Sequence, residues 1–130
     1  LEKLTQLKRL RLNHNQLTEI PKGLERLTQL EWLFLDNNKL TDVKGLEKLK
    51  QLTNLSLDNN HLTDVEGLEK LTDLKSLELY NNQLTDVKGL ENLTGLTSLS
   101  LFNNPALTKA QIDQLQKALP NCKIISNAKK

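Results

Sequence analysis

A single cysteine, Cys122, in 130 residues leaves no internal disulfide framework to hold the chain together, and it fixes no compartment. Methionine is absent and the aromatic residues are one Trp, one Tyr and two Phe, which excludes a core of large, varied side chains. No apolar run exceeds a few residues, so the sequence holds no membrane span. It opens Leu1-Glu2-Lys3 with neither an initiator Met nor a charged-then-apolar leader, and so reads as a trimmed start without a signal peptide. An excess of one charge is missing too. Eighteen basic against 16 acidic side chains give a net charge of +2, too weak a field to gather phosphate, which disfavours nucleic acid and acidic membranes as partners.

What is present is leucine, 32 residues of it, so the core must come from one side chain at regular positions. The length suits one domain, not a two-domain enzyme. A mean hydropathy of -0.50 then reflects a wide polar surface rather than disorder.

Gly23, Gly45, Gly67 and Gly89 fall 22 residues apart, each followed by Leu-Glu. Aligned on that mark, the units are 1–23, 24–45, 46–67, 68–89 and 90–107, the last disturbed at Pro105-Ala106-Leu107. Residues 46–67 and 68–89 agree at 14 of 22 positions. Each unit carries Leu-x-x-Leu-x-Leu-x-x-Asn-x-Leu, as in Leu52, Leu55, Leu57, Asn60 and Leu62, and again in Leu74, Leu77, Leu79, Asn82 and Leu84. The Leu-x-Leu step has period two and predicts one short strand per unit, whereas Gly-Leu-x-x-Leu does not. A lone unit cannot bury its leucines; stacked units place their strands ~4.8 Å apart in a parallel sheet over one continuous core.

This pattern is identified as a leucine-rich repeat. Its 22-residue length and Leu-Thr-Asp-Val connection resemble the class found in phosphatase-regulator repeats and bacterial internalins. The resemblance implies an α/β solenoid: a leucine-rich-repeat horseshoe with a parallel concave β-sheet, short turns or 3-10 segments on the convex side, and a C-terminal capping helix. It also implies a protein-binding role and names no ligand.

Asn15, Asn38, Asn60, Asn82 and Asn104 follow the strands, where a side-chain amide can both donate to and accept from main chain of adjacent coils; they read as structural. Residues 108–130 depart from the repeat. Thr108-Lys109-Ala110-Gln111 has capping-box spacing and predicts a helix over about 109–119, with Ile112, Leu115 and Leu119 on one face and Pro120 as the stop. A last strand over about 122–125 and a loose polar tail should follow. Nothing in the sequence covers the first coil's leucines, which leaves self-association or partner contact through that N-terminal end as the alternative function, or a targeting role within a larger protein.

Convergent catalytic groups are lacking. His14 and His61 lie two strand spacings apart, ~10 Å, too far to share a metal directly. Cys122 sits coils away from both, the glycines form no phosphate-cradling loop, and the carboxylates are unpaired. No catalytic residue, metal or cofactor is therefore assigned, and the Lys and Glu residues around each Gly-Leu-Glu read as a solvated convex surface.

The informative residues stand between the leucines, where alternate strand positions face the concave side. The first column is Arg9, Trp32, Asn54, Ser76 and Ser98, and the second Arg11, Phe34, Ser56, Glu78 and Ser100. Two more flank the turn: Asn13, Asp36, Asp58, Tyr80 and Phe102, then His14, Asn37, Asn59, Asn81 and Asn103. All four aromatics fall in these columns, and aromatic side chains are the usual anchors of interfaces. The short residues among them, Ser56 and Ser76 included, form a trough between the Trp32–Phe34 and Tyr80–Phe102 groups. Charge runs from Arg9 and Arg11 to Asp36, Asp58 and Glu78, which would orient a ligand. The expectation is a non-catalytic module that binds a protein or peptide, best a segment with basic and apolar side chains, through these eleven residues.

Overall fold

The computed structural model describes residues 5–128. Leu1 and Leu4 of the first unit and Lys129 and Lys130 of the tail lie outside the described residues. Six three-residue strands, β1 (Arg9–Arg11), β2 (Trp32–Phe34), β3 (Asn54–Ser56), β4 (Ser76–Glu78), β5 (Ser98–Ser100) and β6 (Lys123–Ile125), form one parallel sheet in chain order. Every pairing keeps the same register, so Leu10, Leu33, Leu55, Leu77, Leu99 and Ile124 stand in one row. From Leu33 to Leu99 the row follows from the constant 22-residue step, which returns each leucine to the same height; the 23-residue step from Leu10 and the 25-residue step to Ile124, which contains a helix, absorb their extra residues in the connection and keep the register. The hydrogen bonds continue one residue past the strands, with Leu57 N–H donating to the Glu78 carbonyl at 2.9 Å and Leu79 N–H to that of Ser100 at 2.9 Å.

Behind the sheet the first four connections between strands turn back through Gly-Leu-Glu. Lys22–Arg26, Leu68–Lys70 and Lys88–Asn92 are 3-10 turns. Gly45 and Gly67 take positive φ of 106° and 103°, where a β-carbon would be strained. The glutamates here do more than solvate the convex side: the carboxylates of Glu47 and Glu69 accept from the N–H of Gly45 and Gly67 at 3.0 and 2.8 Å. These bonds tie down the N–H of a residue whose left-handed backbone leaves it outside any ladder.

The core is the stack of inward leucines between sheet and turns, nearly all without solvent contact from Leu24 to Leu101. In the first coil Leu7, Leu10, Leu12 and Leu17 are only half-buried against it. At the other end α1 (Lys109–Ala118) opens on a complete Thr108–Gln111 capping box and buries Leu115, with Leu119 at its C-cap. The helix ends one residue before the predicted boundary because Leu119 leaves helical geometry ahead of Pro120.

Candidate functional site

Between the strand leucines, the alternate side chains of all six strands face one open surface. In register they form two rows: Arg9, Trp32, Asn54, Ser76, Ser98 and Lys123, then Arg11, Phe34, Ser56, Glu78, Ser100 and Ile125. Lys123 and Ile125 are additions that a five-unit reading overlooks, although the alternation in Lys123-Ile124-Ile125 carries the signal. Among the described residues Ile125 and Phe102 are the large apolar side chains most open to water, at 44% and 43% exposure.

The four rings do not stand open as a set. Arg9 lays its guanidinium over the Trp32 ring at 4.6 Å and Arg11 lays its own over Phe34 at 4.5 Å. Trp32 and Phe34 meet at 6.2 Å between centroids, tilted by 39°. In-register pairing across β1 and β2 brings each arginine within reach of a ring, because residues directly opposite on neighbouring strands share a face. The β1–β2 corner consequently presents cations supported by aromatics. Two strands further on, Tyr80 is half-buried and hydrogen-bonds Asp58, which pushes its phenol up to about 12. Asp58 itself is buried, at 4% exposure, and burial holds its carboxyl above the usual carboxylate range. Asp58 thus acts as a support for Tyr80 more than as an open contact. The structure keeps the Trp32–Phe34 and Tyr80–Phe102 groups apart, with Ser56, Ser76 and Asn54 on the floor between them.

The fourth column is structural. His14, Asn37, Asn59, Asn81 and Asn103 all take left-handed φ of 57° to 60°, a conformation asparagine tolerates best after glycine. The amides of the last three form a chain across the coils: Asn127 donates to Asn103 at 3.2 Å, Asn103 to Asn81 at 2.9 Å, Asn81 to Asn59 at 3.0 Å, and Asn59 to the Asp58 carboxylate at 3.1 Å, while Asn37 donates to Asp36 of its own coil at 3.0 Å. Asn127, expected in a loose tail, is thereby held, and its Oδ1 also accepts from the Asn103 N–H at 3.0 Å.

Glu78 sits between Ser56 and Ser100 in the second row with no side chain of opposite charge on either neighbouring strand. Burial, and to a lesser degree the nearby Asp58 charge, raise its pKa. A carboxyl raised by folding gives stability that is complete below its unfolded pKa and is lost as pH rises through the folded value. Glu78→Gln should therefore raise Tm at neutral pH by on the order of 1–2 °C. The gain should vanish in acid, once Glu78 is protonated. Thermal melts of both proteins across pH check this, and a gain independent of pH would refute it.

Among the described residues no three His, Cys, Asp or Glu side chains are placed to hold a metal ion. His14 and His61 are exposed in separate coils, while Cys122 is buried beneath the last strand and burial pushes its thiol up, away from the thiolate form.

The family model for leucine-rich repeats (2 copies) matches residues 5–48, 28–70 and 72–121. An internalin of Listeria monocytogenes is 30% identical over 99% of this chain and 45% of its own, with a TM-score of 0.78. Internalin C2 of the same organism is 27% identical over 97% and 54%, with a TM-score of 0.88. A leucine-rich-repeat protein of Leptospira interrogans is 32% identical over 95% and 38%, with a TM-score of 0.75. The chain thus spans about half or less of the length of these bacterial proteins. No curated protein matches it in sequence. Register, buried asparagines and these matches agree: the chain belongs to the leucine-rich-repeat family, with internalin-type repeats.

Proposed function

We propose that this chain is a non-catalytic binding module that takes a protein or peptide on the concave face of its sheet. The observation that carries the reading is the unequal use of the two surfaces. All four aromatics and the charges Arg9, Arg11 and Glu78 stand on or beside the six-strand face, while the opposite surface repeats the same Gly-Leu-Glu chemistry coil after coil. Leucines and asparagines hold the backbone, so the face can vary while the register is kept. Between units 46–67 and 68–89, three of the eight differences are the face pairs 54/76, 56/78 and 58/80. Rigid strands spare the ordering entropy that a mobile loop would lose on binding.

Selection of a displayed random-peptide library on the intact chain tests the reading. Clones should lose at least ~2 kcal/mol, about 30-fold, against the Trp32→Ala/Tyr80→Ala double variant, and keep their affinity for Lys44→Ala/Lys88→Ala on the convex side. Clones indifferent to the face variant and sensitive to the convex one would overturn it.

A further inference from the structure

The second row of the face has an order that specifies more than a binding surface. From β1 to β6 it reads cation, aromatic, small, anion, small, apolar: Arg11, Phe34, Ser56, Glu78, Ser100 and Ile125. Arg11 is exposed and sets its guanidinium over the Phe34 ring at 4.5 Å, a contact that engages the π face and uses none of its N–H donors in a hydrogen bond. Among the described residues the ion pairs are Lys8–Glu31, Lys48–Glu25 and Lys109–Asp113, and neither Arg11 nor Glu78 has an ion-pair partner among those residues. The two are three strand spacings apart, ~14 Å, which no direct contact between them can bridge. An extended chain covers that distance in about four residues. Ile125 lies two spacings beyond Glu78, ~10 Å or about three further residues.

We propose that the face takes an extended segment of a partner protein that crosses the strands along this row, seating an acidic side chain on Arg11 and, about four residues away, a basic one on Glu78, with an apolar side chain over Ile125. This deepens, and rests on, the binding reading above. The rings at the β1–β2 corner are already covered by arginines, so that corner recognises a carboxylate rather than an apolar side chain. A polyanion fits poorly, since Asp36 stands two residues beyond Phe34 and Glu78 further along. The small side chains at Ser56 and Ser100 let the segment approach the sheet between its two charged contacts. A cation over Glu78 would also relieve the half-buried, unpaired carboxylate.

The probe is a synthetic nine-residue peptide, blocked at both ends, with glutamate second, arginine sixth, leucine ninth and serine or threonine elsewhere. Calorimetry on the full chain should show binding that falls about tenfold when the peptide glutamate becomes glutamine or when Arg11→Gln is introduced, with no further fall when both changes are combined. The peptide arginine and Glu78→Gln should couple in the same way, and Arg11→Lys should retain part of the first coupling. A peptide of the same composition with its two charges adjacent should bind about tenfold more weakly. No binding at millimolar peptide, the absence of either coupling, equal binding of the adjacent-charge peptide, or tighter binding of single-stranded oligothymidylate would each overturn the proposal. If the selected library clones depend on the face but carry no opposite charges about four residues apart, the crossing pattern fails while the binding reading stands. If no clone depends on the face, the binding reading itself fails.

Discussion

Leucine in place of Asn60 lowers the stability of the folded chain by about 2–3 kcal/mol, while the same exchange at Asn15 costs under about 1 kcal/mol. Asn60 is buried and spends its whole amide on main chain. Its Nδ2 donates to the carbonyls of Leu57 at 3.0 Å, Leu35 at 3.1 Å and Asp58 at 3.3 Å, and its Oδ1 accepts from the Leu40 N–H at 3.0 Å. The carbonyls are partly insured. Leu35 oxygen also accepts from Asn38 at 2.9 Å, and Leu57 oxygen from Asn82 at 3.0 Å, so each keeps one partner after the exchange. The Leu40 N–H has no such reserve and is left buried and unpaired, which is the larger part of the cost. Asn15 is exposed and donates to the Leu12 and Asn13 carbonyls of its own coil, at 2.9 and 3.3 Å, with no preceding strand to serve among the described residues. Urea unfolding of the two variants measures the difference; equal costs would show that these asparagines do not act through the coil-to-coil ladder.

Leu-x-x-Leu-x-Leu and the constant repeat of Gly-Leu-Glu specify strand, turn and register together, so the fold is legible from spacing alone. The Thr108–Gln111 capping box is equally plain, because its two bonds join residues three apart in sequence. The candidate site is legible only as columns. Alternation says which side chains share a face, and it correctly places Arg9, Arg11, Trp32, Phe34 and Glu78 there. It does not say that Arg9 and Arg11 fold over the rings, since that depends on rotamers chosen across β1 and β2. Nor does it separate Asp58, buried and bonded to Tyr80, from a carboxylate open to a ligand. The fourth column departs from the alternation for a different reason. Asn59, Asn81 and Asn103 are one residue past the last extended position, and the chain has already entered the left-handed region, which converts a face position into a ladder position.

Leu77→Ala should cost about 3–5 kcal/mol, against about 1–2 kcal/mol for Leu10→Ala, although the two leucines occupy the same place in their repeats. Leu77 is buried without solvent contact, in register between Leu55 on β3 and Leu99 on β5. Leu10 is half-buried on β1 and meets one neighbouring strand, β2. Neighbours matter because the stability of a stacked-repeat protein is close to a sum of repeat and interface contributions, and a cavity at Leu77 weakens two interfaces at once. Amide exchange should consequently rise throughout β3, β4 and β5 in Leu77→Ala and only near β1 and β2 in Leu10→Ala. Equal costs, or exchange that rises uniformly along the chain, would mean that the sheet unfolds as one unit and the leucine row transmits no local coupling. The same row sets the spacing of the face. Arg11 and Glu78 keep their three-strand separation only while Leu33, Leu55 and Leu77 hold β2, β3 and β4 at equal height, so Leu77→Ala should also weaken the opposite-charge peptide without touching any residue that contacts it.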